Sequence, residues 1–179
     1  MANDIAVFKT NMGTFKVKLY LEKSPITAGN FKQLVESGFY NETKFHRVIT
    51  DFMIQGGDPL SKNDNLKKKW GTGGAERIKD EFIRGLSNVR GSLSMANSGP
   101  NSGSSQFFIN TVNNDFLDWD KGDQRSKHPV FGEIIAGMDV IDNISIVKVG
   151  RNDIPEKNIT ISSAFMESAK NPPKEKKAA

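Results

Sequence analysis

The residues of this chain best placed to do chemistry are Arg47, Gln55, Asn97 and Gln106, polar groups set among apolar neighbours. Phe45-His46-Arg47-Val48-Ile49 runs through Thr50 and Asp51 into Phe52-Met53-Ile54-Gln55-Gly56-Gly57-Asp58, so a cation and an amide flank Phe52 and Met53. The mixture recurs in Ser94-Met95-Ala96-Asn97 and in Ser105-Gln106-Phe107-Phe108. A plain core strand would not carry such groups, and an arginine between two apolar runs needs a partner or a ligand. Singly, Phe52, Met53 and Phe108 read as core residues, and Gln55 reads as a turn residue beside two glycines. Together they describe a site that holds an apolar group while acting electrostatically on a polar bond next to it.

Other chemistries lack their parts. The chain has no cysteine, which removes disulfides, thiolate nucleophiles and cysteine-bound zinc. Gly71-Thr72-Gly73-Gly74 is not followed by Lys-Ser/Thr and has no strand–helix context, so it is no phosphate loop. His46 and His128 are the only histidines and lie far apart in sequence, so neither a metal nor another cofactor is expected. The serine-rich stretch from Ser98 to Ser105 contains no Gly-x-Ser-x-Gly and reads as a turn of small residues. Glycosylation sequons at Asn41, Asn143 and Asn158 carry no weight without a secretory signal, and none is visible in Met1-Ala2-Asn3-Asp4.

Length and charge bound the rest. A chain of 179 residues is enough for one domain with a substantial core, and short for two. No window approaches the apolar length that spans a bilayer, so no membrane partner is expected. Of the net charge of +4, +3 comes from the segment after Ala169, where four lysines face Glu175 alone. A nucleic-acid protein should carry its basic excess on a folded face. Here the excess sits in Lys170-Asn171-Pro172-Pro173-Lys174-Glu175-Lys176-Lys177, which lacks apolar residues to pack. Residues 168–179 therefore read as a disordered, solubilising tail on a domain of residues 1–167. A cytoplasmic monomer with no nucleic-acid partner is the expectation.

The elements that must position these residues are mainly strands. Asp4 to Thr10 alternates, as does Phe15 to Leu21, with Asn11-Met12-Gly13 as the turn between them. Ser24-Pro25 starts a helix whose apolar face is Ala28, Phe31, Leu34 and Val35, ended by Gly38. Short runs follow at Phe45–Ile49, Phe52–Gln55, Ser92–Met95, Phe107–Thr111 and Val130–Ile135. A second helix is predicted over Met138–Ile144 and a last strand over Ile159–Phe165. This pattern predicts an all-β, mainly antiparallel fold: a closed barrel capped by two α-helices, which leaves no sheet edge exposed. The loops Pro59–Ala75 and Asp118–Lys127 are longer than a barrel needs and suit functional rims.

These motifs, in this order, resemble the cyclophilins, the peptidyl-prolyl cis–trans isomerases. The resemblance rests on Phe45 to Asp58, on Gly91-Ser92-Leu93-Ser94-Met95-Ala96-Asn97 with Gly99-Pro100-Asn101, and on Ser104-Ser105-Gln106-Phe107-Phe108-Ile109. Phe116-Leu117-Asp118 and His128-Pro129-Val130-Phe131-Gly132 extend it, so that it spans about Asp4 to Phe165. It implies the family's eight-stranded barrel with two helices. It implies an enzyme that speeds rotation about X–Pro bonds in unfolded or flexible chains and so assists their folding. Arg47 would be the catalytic cation. Phe52, Met53, Phe108, Leu117 and His128 would surround the proline, while Gln55, Ala96, Asn97 and Gln106 would hold the substrate backbone. The alternative is a module, such as a chaperone component, that binds proline segments without turning them over.

The chain also departs from its resemblance. Many family members carry tryptophan where this chain has Phe116, and that indole contributes to binding cyclosporin, so cyclosporin binding is expected to be weak. The segment from Trp119 to Lys127 is longer than in compact members, and Trp119 follows Leu117 closely enough to reach the pocket rim.

Overall fold

Period-two alternation at the start of the chain folds into a hairpin. In the computed structural model, which describes residues 3–121 and 127–168, strands β1 (Ile5–Thr10) and β2 (Gly13–Leu19) pair antiparallel with Thr10 opposite Gly13. Ala6, Phe8, Phe15, Val17 and Leu19 point inward, while Lys9 and Lys18 face water. Gly13 takes φ +131°, and a Cβ there would lie 2.8 Å from the Val140 side chain, so the turn has room for glycine only. β2 stops at Leu19, short of the expected Leu21.

Six further strands follow: β3 (Arg47–Ile49), β4 (Met53–Gly56), β5 (Ser92–Met95), β6 (Phe107–Asn110), β7 (Val130–Ala136) and β8 (Ile161–Met166). They form one antiparallel sheet in the order β3-β4-β6-β5-β7-β2-β1-β8. The expected closed barrel is corrected to a curled, open one, because the end strands β3 and β8 do not pair along their lengths. β3 is only three residues long. The chain just before it crosses the gap instead, with Phe45 N donating to Ile159 O (3.0 Å) and Ile161 N to Thr43 O (2.8 Å).

Two α-helices accompany the sheet, α1 (Pro25–Glu36) against β7 and β8, and α2 (Met138–Ser145) against β2, β3 and β4. Ser24 stands at the N-cap of α1, but its hydroxyl makes no cap bond. The Glu81 carboxylate takes that place, accepting from Ile26 N (3.1 Å) and Thr27 N (3.0 Å) from 54 residues or more away in sequence. At the other end Gly38 (φ +76°) donates to Val35 O and Phe39 N to Leu34 O, a left-handed glycine stop. No helix among the described residues is long and apolar enough to cross a membrane. The proposed tail falls on Ser168 and on residues 169–179, the latter outside the described residues.

Rings fill the interior. Phe31 of α1 lies 5.0–5.9 Å, centroid to centroid, from Phe8, Tyr40, Phe107 and Phe131. A second, smaller apolar cluster lies apart from this core: Met53, Phe108 and Leu117 are buried, with Ile49, Phe52 and Ala96 packed against them.

Candidate active site

Strand register assembles the outer cluster. Successive side chains alternate faces, so Phe107 enters the core while Phe108 points the other way. Arg47 sits opposite Gln55, Gln55 opposite Phe108, and Phe108 opposite Ser94. One row across β3, β4, β6 and β5 therefore sets a guanidinium, an amide and a ring side by side. Ile49 faces Met53 one step along.

The row borders a cavity of about 200 Å³ lined by Arg47, Phe52, Met53, Gln55, Ala96, Asn97, Phe108, Leu117 and His128. Nine of the residues that the resemblance implicates thus meet at one place. Gln106 and Phe116 do not line it. The Phe116 ring is 55% exposed and stacks on Phe52 at 6.1 Å, an outer extension of the wall. Trp119 stacks on Phe82 (6.1 Å) rather than on the pocket, and residues 122–126 of its loop lie outside the described residues.

A chain of amides orients the cation. Arg47 Nη1 donates to Gln55 Oε1 (3.2 Å), Gln55 Nε2 donates to Gln106 Oε1 (2.9 Å), and Gln106 Nε2 donates to the carbonyls of Gly71 (2.9 Å) and Gly73 (2.8 Å). Since a guanidinium only donates, it fixes the direction of every amide in the series. The buried Asp58 carboxylate anchors the far end by accepting from Gly71 N and Gly73 N. The remaining Arg47 N–H groups have no partner among the described residues. On the opposite wall His128 Nδ1 faces Met95 O at 3.0 Å, so that nitrogen carries the proton and Nε2 is bare while the ring is neutral. Burial, the largest effect, holds the His128 pKa below its ordinary value. Asn97 Nδ2 donates to Lys127 O (2.7 Å), tying that side chain to the same wall.

Behind the cavity lies a polar network that sequence reading missed. Asn88 is fully buried, and its Nδ2 donates to Asp118 Oδ1 (2.9 Å) and to His128 O (3.2 Å). Its Oδ1 accepts from Ser94 Oγ (2.6 Å) and Asn110 Nδ2 (3.2 Å). Asn114 Nδ2 bridges Asn110 Oδ1 and Phe52 O, both at 2.9 Å. The Asn88 amide thereby links the segments carrying Phe108, Leu117 and His128, and Asn114 extends the network to Phe52. Nothing in the sequence marks Asn88, because an isolated asparagine in a loop reads as turn chemistry.

A second cavity, about 340 Å³, adjoins the first and shares Gln55, Ala96 and Asn97 with it. Gln106 belongs here, with Gly71 to Ala75, Arg77, Ser98, Ser102 and Ser104. Glycine is required in its wall: a Cβ on Gly73 would collide with Asp58 and Leu60, and one on Gly74 with Ser104 Oγ. The unusual length of the Pro59–Ala75 loop was the only sign of this wall in the sequence.

Comparison with known proteins agrees with this geometry. The family model "Cyclophilin type peptidyl-prolyl cis-trans isomerase/CLD" matches residues 5–165. A peptidyl-prolyl cis-trans isomerase of Acinetobacter baylyi is 42% identical over 173 residues, covering 94% of this chain and 88% of that one. Peptidyl-prolyl cis-trans isomerase B of Escherichia coli is 42% identical over 167 residues, covering 89% and 97%. The crystal structure of a Cryptosporidium parvum cyclophilin-type isomerase, determined in the presence of the dipeptide Ala-Pro, superposes with a TM-score of 0.78 at 29% identity, covering 92% of this chain and 99% of that one. With a match across nearly all of its described length, this chain belongs to the cyclophilin-type peptidyl-prolyl cis–trans isomerases and is an isomerase.

Proposed function

We propose that the 200 Å³ cavity seats the proline of a flexible or unfolded polypeptide and that Arg47 drives rotation of the preceding peptide bond, which assists folding of the client. The observation that carries this reading is the strand register, which sets Arg47 and Gln55 beside the Phe108 ring in the wall of that cavity. Amide resonance gives the X–Pro bond a rotational barrier of ~18–20 kcal/mol, and uncatalysed exchange takes roughly 10–100 s. Reaching about 10³ turnovers per second requires lowering the barrier by roughly 6–7 kcal/mol.

No covalent step is needed. The twisted amide loses resonance, and its nitrogen becomes pyramidal and gains a lone pair. An Arg47 N–H donates to that nitrogen far better in the twisted state than in the planar one, which is selective stabilisation of the transition state. A charge-assisted hydrogen bond contributes about 1.5–3 kcal/mol. Orientation and removal of the planar amide from water supply the rest. Phe52, Met53, Phe108, Leu117 and His128 grip the ring so that the preceding carbonyl turns. Gln55, Ala96, Asn97 and Gln106 hold the backbone, and Phe116 extends the wall outside. Residues 1–167 act as one domain.

The test is a coupled isomerisation assay on a neutral proline tetrapeptide with wild type and Arg47→Ala. Arg47→Ala is expected to lower kcat at least tenfold with an unchanged circular dichroism spectrum. Equal turnover by the two proteins removes Arg47 from the mechanism.

A further inference from the structure

The Pro59–Ala75 loop carries a tryptophan immediately before the glycines whose carbonyls orient the site amides. Trp70 is half-buried, and two ammonium groups lie against its ring, Lys44 Nζ at 5.4 Å from the centroid and Lys67 Nζ at 5.8 Å. Its indole Nε1–H donates to Asn63 O (3.1 Å), and its backbone N–H to Lys67 O (3.3 Å). The ring is therefore fixed to its own loop by a hydrogen bond and to the body of the protein by Lys44.

Lys44 is the unusual member of this group. It is only 7% exposed, and a buried ammonium needs partners where it lies. Nζ donates to Ser61 O (2.6 Å), and the backbone N–H of the same lysine donates to Ser61 Oγ (2.9 Å). The carboxylate in reach, Asp64 at 3.3 Å, is itself largely exposed and contributes little. The Trp70 ring is the remaining partner of the charge. Lys44 also stands just before Phe45-His46-Arg47, in the segment that leads into β3.

These contacts close a circuit. Arg47 donates to Gln55, Gln55 to Gln106, and Gln106 to the carbonyls of Gly71 and Gly73. Gly71 follows Trp70, and the Trp70 ring returns to Lys44 on the segment that carries Arg47. The soft point of the circuit is the glycine backbone: Gly71 takes φ +97°, and Gly73 and Gly74 follow closely. Asp58 holds the N–H groups of Gly71 and Gly73, which leaves the rotation of the Gly71 carbonyl toward Gln106 to be set from elsewhere. A large, clamped side chain on the preceding residue narrows the conformations open to that glycine.

We propose that Trp70, clamped by Lys44, is a positioning residue for the isomerase: it holds Gly71 so that its carbonyl keeps the Gln106 amide, and through Gln55 the Arg47 guanidinium, in register with the proline cavity. The proposal rests on the reading of Arg47 above. Trp70 does not line that cavity, so its loss acts on the alignment of Arg47 and not on the seat of the proline.

Turnover of a neutral proline tetrapeptide by Trp70→Ala, Trp70→Phe and Lys44→Met, each made in the wild-type and in the Arg47→Ala background, provides the test. Trp70→Ala is expected to lower kcat about three- to tenfold with KM unchanged within about twofold, since misalignment of a catalytic group costs rate rather than binding. Trp70→Phe keeps a ring for both ammonium groups and should recover most of the lost rate. In the Arg47→Ala background Trp70→Ala should have no further effect, because a residue that acts through Arg47 then has nothing to position. Lys44→Met releases the ring from the other side. It should show the same kcat loss and the same dependence on Arg47, and it decides the question where Trp70→Ala does not fold. A kcat loss below about twofold, or one carried by KM, overturns the proposal. So does a loss that persists undiminished in the Arg47→Ala background, or one that Trp70→Phe shares in full. Failure of the Arg47 reading itself shows separately, as equal turnover by wild type and Arg47→Ala with Trp70 intact.

Discussion

Phe107 and Phe108 are neighbours in the chain and belong to different regions of the molecule. Phe107 faces inward, where Phe8, Phe31, Tyr40 and Phe45 surround it at 5.3–6.1 Å. Phe108 faces outward into a cluster of mixed chemistry: Met53, Leu117, the His128 ring at 5.2 Å and the polar row from Arg47. The inner face is specified by apolar burial and shape. The outer face has too little apolar surface to specify itself, so its walls are set by hydrogen-bonded side chains: the Arg47–Gln55–Gln106 series on one side and the Asn88 network on the other. Substitutions on the inner face should therefore act on stability, and those on the outer face on catalysis.

The largest effect should come from Phe107→Ala, which opens a void among rings and is expected to cost about 3–5 kcal/mol in urea unfolding. Phe108→Ala removes a ring whose outer side already faces a cavity. It should cost under about 2 kcal/mol while lowering kcat/KM at least tenfold. Equal stability losses for the two variants, with equal kinetics per folded molecule, would erase the distinction between the faces.

Asn88→Ala sharpens the comparison at an intermediate size. It deprives the buried Asp118 carboxylate of a side-chain donor and leaves His128 O and Ser94 Oγ short of a partner. A loss of about 1–3 kcal/mol follows from unsatisfied buried groups. Because the network holds pocket walls, KM for a proline peptide should also rise severalfold under conditions where the variant is fully folded. Lost stability with an unchanged KM would make the network a scaffold with no part in positioning the site.

This division also explains what the sequence could tell. Period-two alternation revealed the inner faces of β1 and β2, and the helix signals at Ser24-Pro25 and Gly38 bounded α1 within a residue or so. Local pattern cannot report whether two distant strands pair, so the barrel's closure was misjudged where β3 proves too short to meet β8. The nine residues that line the 200 Å³ cavity were legible through the family resemblance, which rests on motifs that mix polar and apolar types. Asn88 and Glu81 were not. Each acts on groups far away in sequence, as when Glu81 caps a helix that begins at Pro25.

The smallest expected effect is that of pH. Burial, the leading cause for both, depresses the pKa of His46 and of His128 below the ordinary value of 6.5 in the folded chain. At His46 the nearby Asp58 carboxylate opposes the shift without reversing it. The unfolded chain therefore takes up protons first as pH falls through 6.5, and stability is full above that value and declines below it, until the folded-state pKa values are reached. Urea midpoints should be flat from about pH 7 to 8 and fall toward pH 5, with a shallower fall in His46→Gln. Catalysis should follow His128 alone: with the ring neutral and Nε2 bare at neutral pH, kcat/KM should be flat down to about pH 6.5. It should decline only where the ring gains its second proton, because a cation on the pocket wall then opposes burial of the substrate's proline. A pH profile with an inflection above 7 would mean that some group other than His128 sets the protonation state of the site.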